Sequence, residues 1–445
     1  MKWKSVILFV LLAAALLLLV LPAVAEKSRD YEYALNDDGT VTITAYIGRA
    51  DELEILSELD GKKVTSIGKD AFYWCSSLKH VTIPDSVTSI GDSAFYWCFS
   101  LTSVTIPDSV TSIGKNAFAS CSSLTDVTIP EGVTRIGKSA FSRCSSLTCV
   151  TIPDSVRSIG DSAFASCSSL MDVTIPEGVT SIGNYAFAEC YRLTGVTIPD
   201  SVTSIGDSVF ASCSSLTEVT IPESVTSIGD YAFDSCSSLT DVTIPDSVTG
   251  IGVNPFRYCK KLKSVKVSPD QPALATIDGV LFSKADKRLV WYPMTKEATE
   301  YSIPQGIAVI GDYAFYACGS LTGDTIPDSV ASIGDYAFSV CSDLTGVTIP
   351  DSVRSIGDSA FASCSSLMDV TIPEGVTSIG KSAFSRCSSL TSVTIPDSVT
   401  KIGDAAFFDC SNLIFTVPRG SYAAQYCKEN GLAYTYPDIL DWLNN

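Results

Sequence analysis

The sequence predicts a repeat solenoid, with coils stacked along one axis and a parallel β-strand on one side of each coil. Three observations carry this prediction. Fourteen of the 16 cysteines recur every 23 residues, from Cys75 to Cys259 and again from Cys318 to Cys410. Apolar residues at 46% and charged residues at 18% exclude a disordered chain. A chain of 445 residues could hold two or three globular domains or one long array, and the fixed period selects the array.

The elements follow in order. Lys2 and Lys4 precede an unbroken apolar run from Val6 to Val20, Pro22 breaks it, and Ala23-Val24-Ala25 offers a small-x-small cleavage pattern. Residues 1–25 are expected to be an export signal cleaved after Ala25, with an uncleaved membrane anchor as the alternative. Residues 26–62 are read as an N-terminal cap and 63–260 as the first block of coils. Residues 261–305 form an enlarged, irregular repeat, since Cys259 and Cys318 lie 59 residues apart, two periods plus 13. Val280 and Phe282, then Leu289 and Trp291, alternate on either side of a polar turn, which predicts a β-hairpin projecting from the solenoid. Residues 306–413 are the second block and 414–445 the C-terminal cap.

One coil, from Leu101, reads LTSVTIPDSVTSIGKNAFASCSS. Leu101, Val104 and Ile106 have the L-x-x-L-x-L spacing of a leucine-rich-repeat strand, with Val104 and Ile106 inward and Thr105 outward by strand alternation. Pro107 lacks an N–H and ends the ladder. Val110 and Ile113 return the chain to the interior, and Gly114 is expected to allow a turn that a Cβ would hinder. The next residue is often Asp, as in Asp92, Asp161 and Asp230, and is expected to cap a single helical turn. Ala117, Phe118 and Cys121 would form the inward stripe of that turn. The fold class is therefore a leucine-rich-repeat solenoid. Its strands form a parallel concave face, turns or single-turn helices line the convex side, and both ends are capped.

The recurring VTIPDSVTSIGDSAFxxCSSLT resembles the BspA-like leucine-rich-repeat proteins of bacterial surfaces over almost the whole chain beyond residue 25. YEYALNDDGTVTITAYIGRADELEILSELDGKKVTSIG resembles that family's N-terminal cap, DGVLF…YP its internal module, and VPRGSYAAQYCKENGLAYTYP its C-terminal cap. The resemblance implies adhesion to host matrix proteins or to other cells. Two departures stand out. Ile55-Leu56 replaces the usual Ile-Pro, and Asp324 occupies the inward strand position of Val104 or Val347. A buried carboxylate is costly unless paired or protonated, so distortion of that coil is expected.

The chemistry of catalysis finds little material. Parallel Cβ vectors one strand apart keep the in-register cysteines beyond disulfide reach, and zinc needs converging ligands, so buried thiols acting as small hydrophobes are expected. Cys149 differs because it replaces an outward strand residue. His80 is the only histidine and is read as a solvated residue beside Lys79, so no enzyme and no cofactor are expected. The stretch GVTRIGKS, with Gly132, Gly137, Lys138 and Ser139, matches a phosphate-loop pattern. It is expected to be an ordinary coil, because Gly137 matches Gly114 and Lys138 alternates with Asp92 and Asp161. A net charge of −19 argues against nucleic acid, and no nucleotide partner is expected.

The strand face carries the functional expectation. Thr82, Thr105, Thr128, Thr151, Thr174, Thr197, Thr220 and Thr243 line it, varied by Lys79, His80, Lys266, Asp126, Asp172, Glu218, Asp241 and Asp369. Extended concave faces of this kind are what solenoids use to bind partners. The expected function is a secreted or cell-surface protein binding an extracellular protein or glycan on host or neighbouring cells. A structural surface coat without a specific ligand is the alternative. The exact identity of residues 150–183 and 347–380 fits that alternative. A second candidate is the aromatic group Tyr73, Trp74, Tyr96, Trp97 and Phe99, either a contact site or covered by the N-terminal cap.

Overall fold

The computed structural model describes residues 26–437, so the expected export signal and residues 438–445 lie outside it. Each regular coil contributes two short parallel strands, Ser103–Thr105 and Ser112–Ile113 in the coil that begins at Leu101. Both pair with the same positions one period away. Asp126, Val127 and Thr128 lie beside Cys149, Val150 and Thr151, and Ser112 and Ile113 beside Ser89 and Ile90. Burial holds this register, because a one-residue slip would turn every inward valine to solvent. The second ladder shows in the sequence only as an inward isoleucine, since two residues are too few to display alternation.

The third side of the coil is a turn and not the helical turn that the Ala-Phe-Cys spacing suggests. Asn116 and Ser120 adopt left-handed backbone (φ 56° and 61°), as do Ser139 and Arg143 (54° and 61°) one coil later. A left-handed residue that carries a Cβ costs roughly 1–2 kcal/mol, and one in every four stops a helix from propagating. Hydrogen bonds that alternate in direction offset this cost. Ala117 and Ala119 donate their N–H groups within the coil, to Gly114 and Asn116 (3.3 and 3.0 Å). Asn116, Phe118 and Ser120 donate to Lys138, Ala140 and Ser142 of the next coil (2.9, 2.7 and 2.7 Å).

Two local roles change accordingly. Asp92 does not cap a turn of its own coil, since its Oδ1 accepts the Lys115 N–H one coil on at 2.7 Å. Asp161, Asp230, Asp312 and Asp335 act in the same way on their neighbours. Gly114 is required by close approach and not by a left-handed turn. A Cβ there would lie 2.6 Å from the Asp92 nitrogen and the Gly91 carbonyl carbon of the preceding coil.

Inward residues stack in columns. The phenylalanine rings from Phe72 to Phe256 and from Phe315 to Phe407 lie nearly parallel, with neighbouring centroids 4.7–5.8 Å apart. The cysteines are free thiols, buried from Cys98 to Cys259 within the period, while Cys149 is exposed. Each interior thiol donates to a phenylalanine carbonyl of the preceding coil, as Cys98 does to Phe72 at 3.1 Å. Burial pushes Cys167 and Cys213 up to about 12.

The hairpin of the enlarged repeat exists but does not project. Leu274–Ile277, Val280–Ser283 and Arg288–Trp291 form an antiparallel sheet, and its last strand joins Val309–Ile310 in parallel. Both faces of this sheet are buried. Leu281 and Trp291 pack into the core of the first block, Val280, Phe282 and Leu289 into that of the second. A bulge shifts the pairing from Leu281↔Trp291 to Phe282↔Leu289, which puts Leu289 and Trp291 on opposite faces instead of the expected single one. On the turn side Arg257 forms two hydrogen bonds to Asp234 (2.7 and 3.0 Å). Its guanidinium also lies 4.8 Å from the ring of Tyr231 and 4.6 Å from that of Tyr313, beyond the insert.

The ends are closed by different means. The hairpin of Tyr31–Leu35 and Val41–Tyr46 adds Lys62–Ile67 in parallel and so opens the Ser-Ile ladder. Glu52–Glu54 opens the Val-Thr ladder, and Ile55 fills the inward position although Leu56 replaces proline. At the far end Ile414–Thr416 extends the ladder, and the helix Tyr422–Glu429 buries Ala423, Ala424 and Cys427. Gly323–Thr325 still pairs in register on both sides, while the Asp324 side chain, on which the expected distortion rests, lies outside the described residues. No helix among the described residues is long and apolar enough to cross a membrane.

Three measurements check this account. A thiol reagent at neutral pH is expected to label one cysteine of the native protein rapidly, and Cys149→Ser removes that phase; several fast thiols would contradict the buried column. Burial, with Asp312 and Asp358 nearby, holds the Asp335 carboxyl above the usual carboxylate range. Its contribution to stability is therefore full below that range and is lost as pH rises through the raised value. Asn184 already serves at this position, accepting the Asp207 N–H at 2.9 Å. Asp335→Asn is thus expected to gain on the wild type between pH 4 and pH 7 in urea melts, and Asp335→Ala to lose about 1 kcal/mol. Arg257→Ala leaves Asp234 without its partner and is expected to cost about 2 kcal/mol and split urea unfolding into two steps. A single transition with an unchanged midpoint would refute the coupling.

Candidate binding surface

Each Val-Thr strand exposes its first and third residues, so the strand face carries two outward columns. The third-residue column runs through Thr82, Thr105, Thr128, Thr151, Thr174, Thr197, Thr220 and Thr243 to Lys266, all exposed. The threonines one position before the strand differ in role. The hydroxyls of Thr102, Thr125 and Thr148 donate to carbonyls of the preceding coil (2.9, 3.2 and 3.0 Å) and hold the stack together.

The first-residue column brings several expected residues together. Asp126 and Asp172 flank Cys149, and Glu218 lies beside Asp241. Lys266 stands 3.3 Å from Asp241, and its hydrogen bond holds that carboxyl below the usual range. His80 is exposed, with its Nδ1 2.8 Å from the Ser103 hydroxyl. Lys79 is a correction. It precedes the strand His80–Thr82, at the position of Thr102, and its Nζ lies 3.4 Å from Asp51.

The deepest part of this face lies in the second block, where sequence reasoning had singled out only Asp369. There the outward residues are Glu300, Gly323, Gly346 and Asp369 in successive coils. A Cβ on Gly323 or Gly346 would meet nothing within 4 Å, so two adjacent coils lack a side chain where others carry one. The result is a hollow of about 350 Å³ with Val347 and Thr348 in its lining and Glu300 and Asp369 at its ends. It runs into a groove of about 580 Å³ bordered by Asp351, Asp369 and Glu374. Val150 and Val347 hold the same place in identical segments, yet Val150 is buried and Val347 only half-buried. The available signal was glycine at a strand position that elsewhere holds Asp, Glu or Ser.

The aromatic group is open to solvent. Tyr73, Trp74 and Phe99 are 45%, 52% and 45% exposed, so the N-terminal cap does not cover them. Trp74 meets Trp97 edge-on at 5.0 Å. GVTRIGKS forms a turn, as expected. The N–H groups of Ser139 and Phe141 donate to Asp161 and Ala163 of the next coil (both 2.8 Å), and Lys138 lies 3.3 Å from Asp161. A phosphate loop needs such amides free and a helix behind them.

Comparisons with known proteins agree with this architecture. The model of the BspA type leucine rich repeat region matches in six copies, over residues 56–171, 157–287 and 292–414. A leucine rich cell surface protein from Faecalibacterium prausnitzii is 35% identical, over 92% of this chain and 97% of its own, with a TM-score of 0.61. A leucine-rich repeat protein from Bacteroides ovatus is 29% identical, over 93% of this chain and 100% of its own, with a TM-score of 0.56. No curated protein matches the sequence. The 23-residue register, the paired ladders and these matches converge: the chain belongs to the BspA-type leucine-rich-repeat proteins.

Proposed function

We propose that the protein is a cell-surface binding protein that holds a macromolecular partner on its strand face, as an adhesin does. The observation that carries this reading is the acidic hollow over Gly323 and Gly346, which adds depth to an otherwise flat threonine ladder. The expected export signal at residues 1–25 supports a surface location, as does similarity to a protein described as a cell surface protein. Glu300, Asp351, Asp369 and Glu374 around the hollow, in a chain of net charge −19, favour a protein partner presenting Lys or Arg. Such complementarity speeds encounter and makes it sensitive to salt.

One observation favours the coat reading. Residues 150–183 and 347–380 are identical, and repeated coils suit ordered assembly better than a unique site. The two readings separate experimentally. Residues 26–445 would be tested by surface plasmon resonance against panels of host matrix and bacterial surface proteins. Gly346→Arg fills the hollow with a cation at a position where a Cβ meets nothing within 4 Å, so the fold should survive. Saturable binding that falls roughly tenfold in that variant, and weakens in high salt, is the expected result. Binding unchanged by both Gly346→Arg and Asp369→Lys would remove the strand-face assignment. Ordered assemblies at high concentration without any partner would establish the coat.

A further inference from the structure

The turn side of the first block has a shape that the strand face lacks. Trp97 and Phe99 rise from one coil, and Glu189 and Tyr191 from another, 92 residues or four periods later. At about 4.8 Å per coil these walls stand about 19 Å apart. The three coils between carry Ser120, Arg143 and Ser166 at the position of Trp97. They leave a trough of about 560 Å³ from Phe99 to Tyr191, and a second hollow of about 400 Å³ beside it from Tyr96 to Tyr185. Arg143 lines both.

The chemistry of the trough narrows its occupant. Its floor offers side-chain hydroxyls and no free backbone. The N–H groups of Ser120, Arg143 and Ser166 donate to Ser142, Ala165 and Ala188 of the next coil at 2.7 Å each. A peptide therefore has no edge on which to add as a strand. The Arg143 side chain is exposed and has no ion pair or hydrogen bond among the described residues, in a chain of net charge −19. An unpaired guanidinium midway between aromatic walls suits a carboxylate carried on a molecule with apolar faces. Glu189, held by the Ser166 hydroxyl at 2.7 Å, lies two periods from Arg143, so a carboxylate at Arg143 keeps clear of it by about 10 Å.

We propose that this trough binds an acidic oligosaccharide. The C–H faces of its sugar rings rest on Trp97, Phe99 and Tyr191, its hydroxyls meet the serine hydroxyls of the floor, and a uronate carboxylate pairs with Arg143. At one ring per coil the trough has room for roughly three sugars. The site lies on a different side of the coil from the strand face and does not depend on the reading given for that face.

Isothermal titration of residues 26–445 with a hyaluronan tetrasaccharide, and with chitotetraose as the neutral comparator, tests the assignment. The expected result is saturable binding of the acidic sugar at millimolar affinity or better, and at least tenfold weaker binding of the neutral one. Trp97→Ala and Arg143→Gln, both surface changes whose folding is checked by thermal melting, should each weaken the acidic sugar at least tenfold. Gly346→Arg should leave it unchanged, which separates this site from the strand face. Absent binding, equal affinity for both sugars, or an affinity that either Trp97→Ala or Arg143→Gln leaves intact would overturn the proposal.

Discussion

Coil-to-coil hydrogen bonding at a constant 23-residue offset is the constraint on which everything else in this molecule rests. Two strand ladders and the alternate amides of the turn all donate to, or accept from, the equivalent position one coil away. Because the offset is constant, side chains at one position form a column, and each column has a uniform environment. The interior columns of Phe, Cys, Leu, Val and Ile follow from this, as do the thiol contacts with the phenylalanine carbonyls. So does the glycine column, where coils approach too closely for a Cβ.

The same constraint separates stability from binding. Interior residues cannot vary without disturbing two neighbours, whereas the outward strand positions hold His80, Ser103, Asp126, Cys149, Asp172 and Gly195 in successive coils. Threonine is divided between the two tasks. Hydroxyls such as that of Thr125 bond along the stack, while Thr128 on the strand beside it is exposed. The enlarged repeat also serves continuity. Its sheet faces one core with Trp291 and the other with Phe282, and Arg257 ties the two blocks together across it.

Much of this was legible in the residues. The period of the cysteines, the alternation of Val104 and Thr105, and the outward place of Cys149 all describe a single coil, and the model places them as read. The turn was misread as helical because Ala117, Phe118 and Cys121 do have helical spacing. The left-handed positions carry no glycine to announce them: they hold Asn116 and Ser120 in one coil, Tyr185 and Glu189 in another. The hairpin was misplaced for a related reason. Alternation marks two faces of a strand, but it does not say that both are buried.

The sequence by itself determined the solenoid, its period, its interior columns and the identity of every outward residue, because those follow from spacing within one coil. Only the tertiary structure decided which outward residues form a hollow. Val150 and Val347 lie in identical segments, yet only Val347 borders a groove, since the coils before it carry Gly323 and Gly346. Likewise the trough around Arg143 exists because its walls, Phe99 and Tyr191, lie four coils apart. The physical reason is that a column is uniform only while its residues are. Depth arises where neighbours differ, and neighbours here are 23 residues away, beyond the reach of any local pattern.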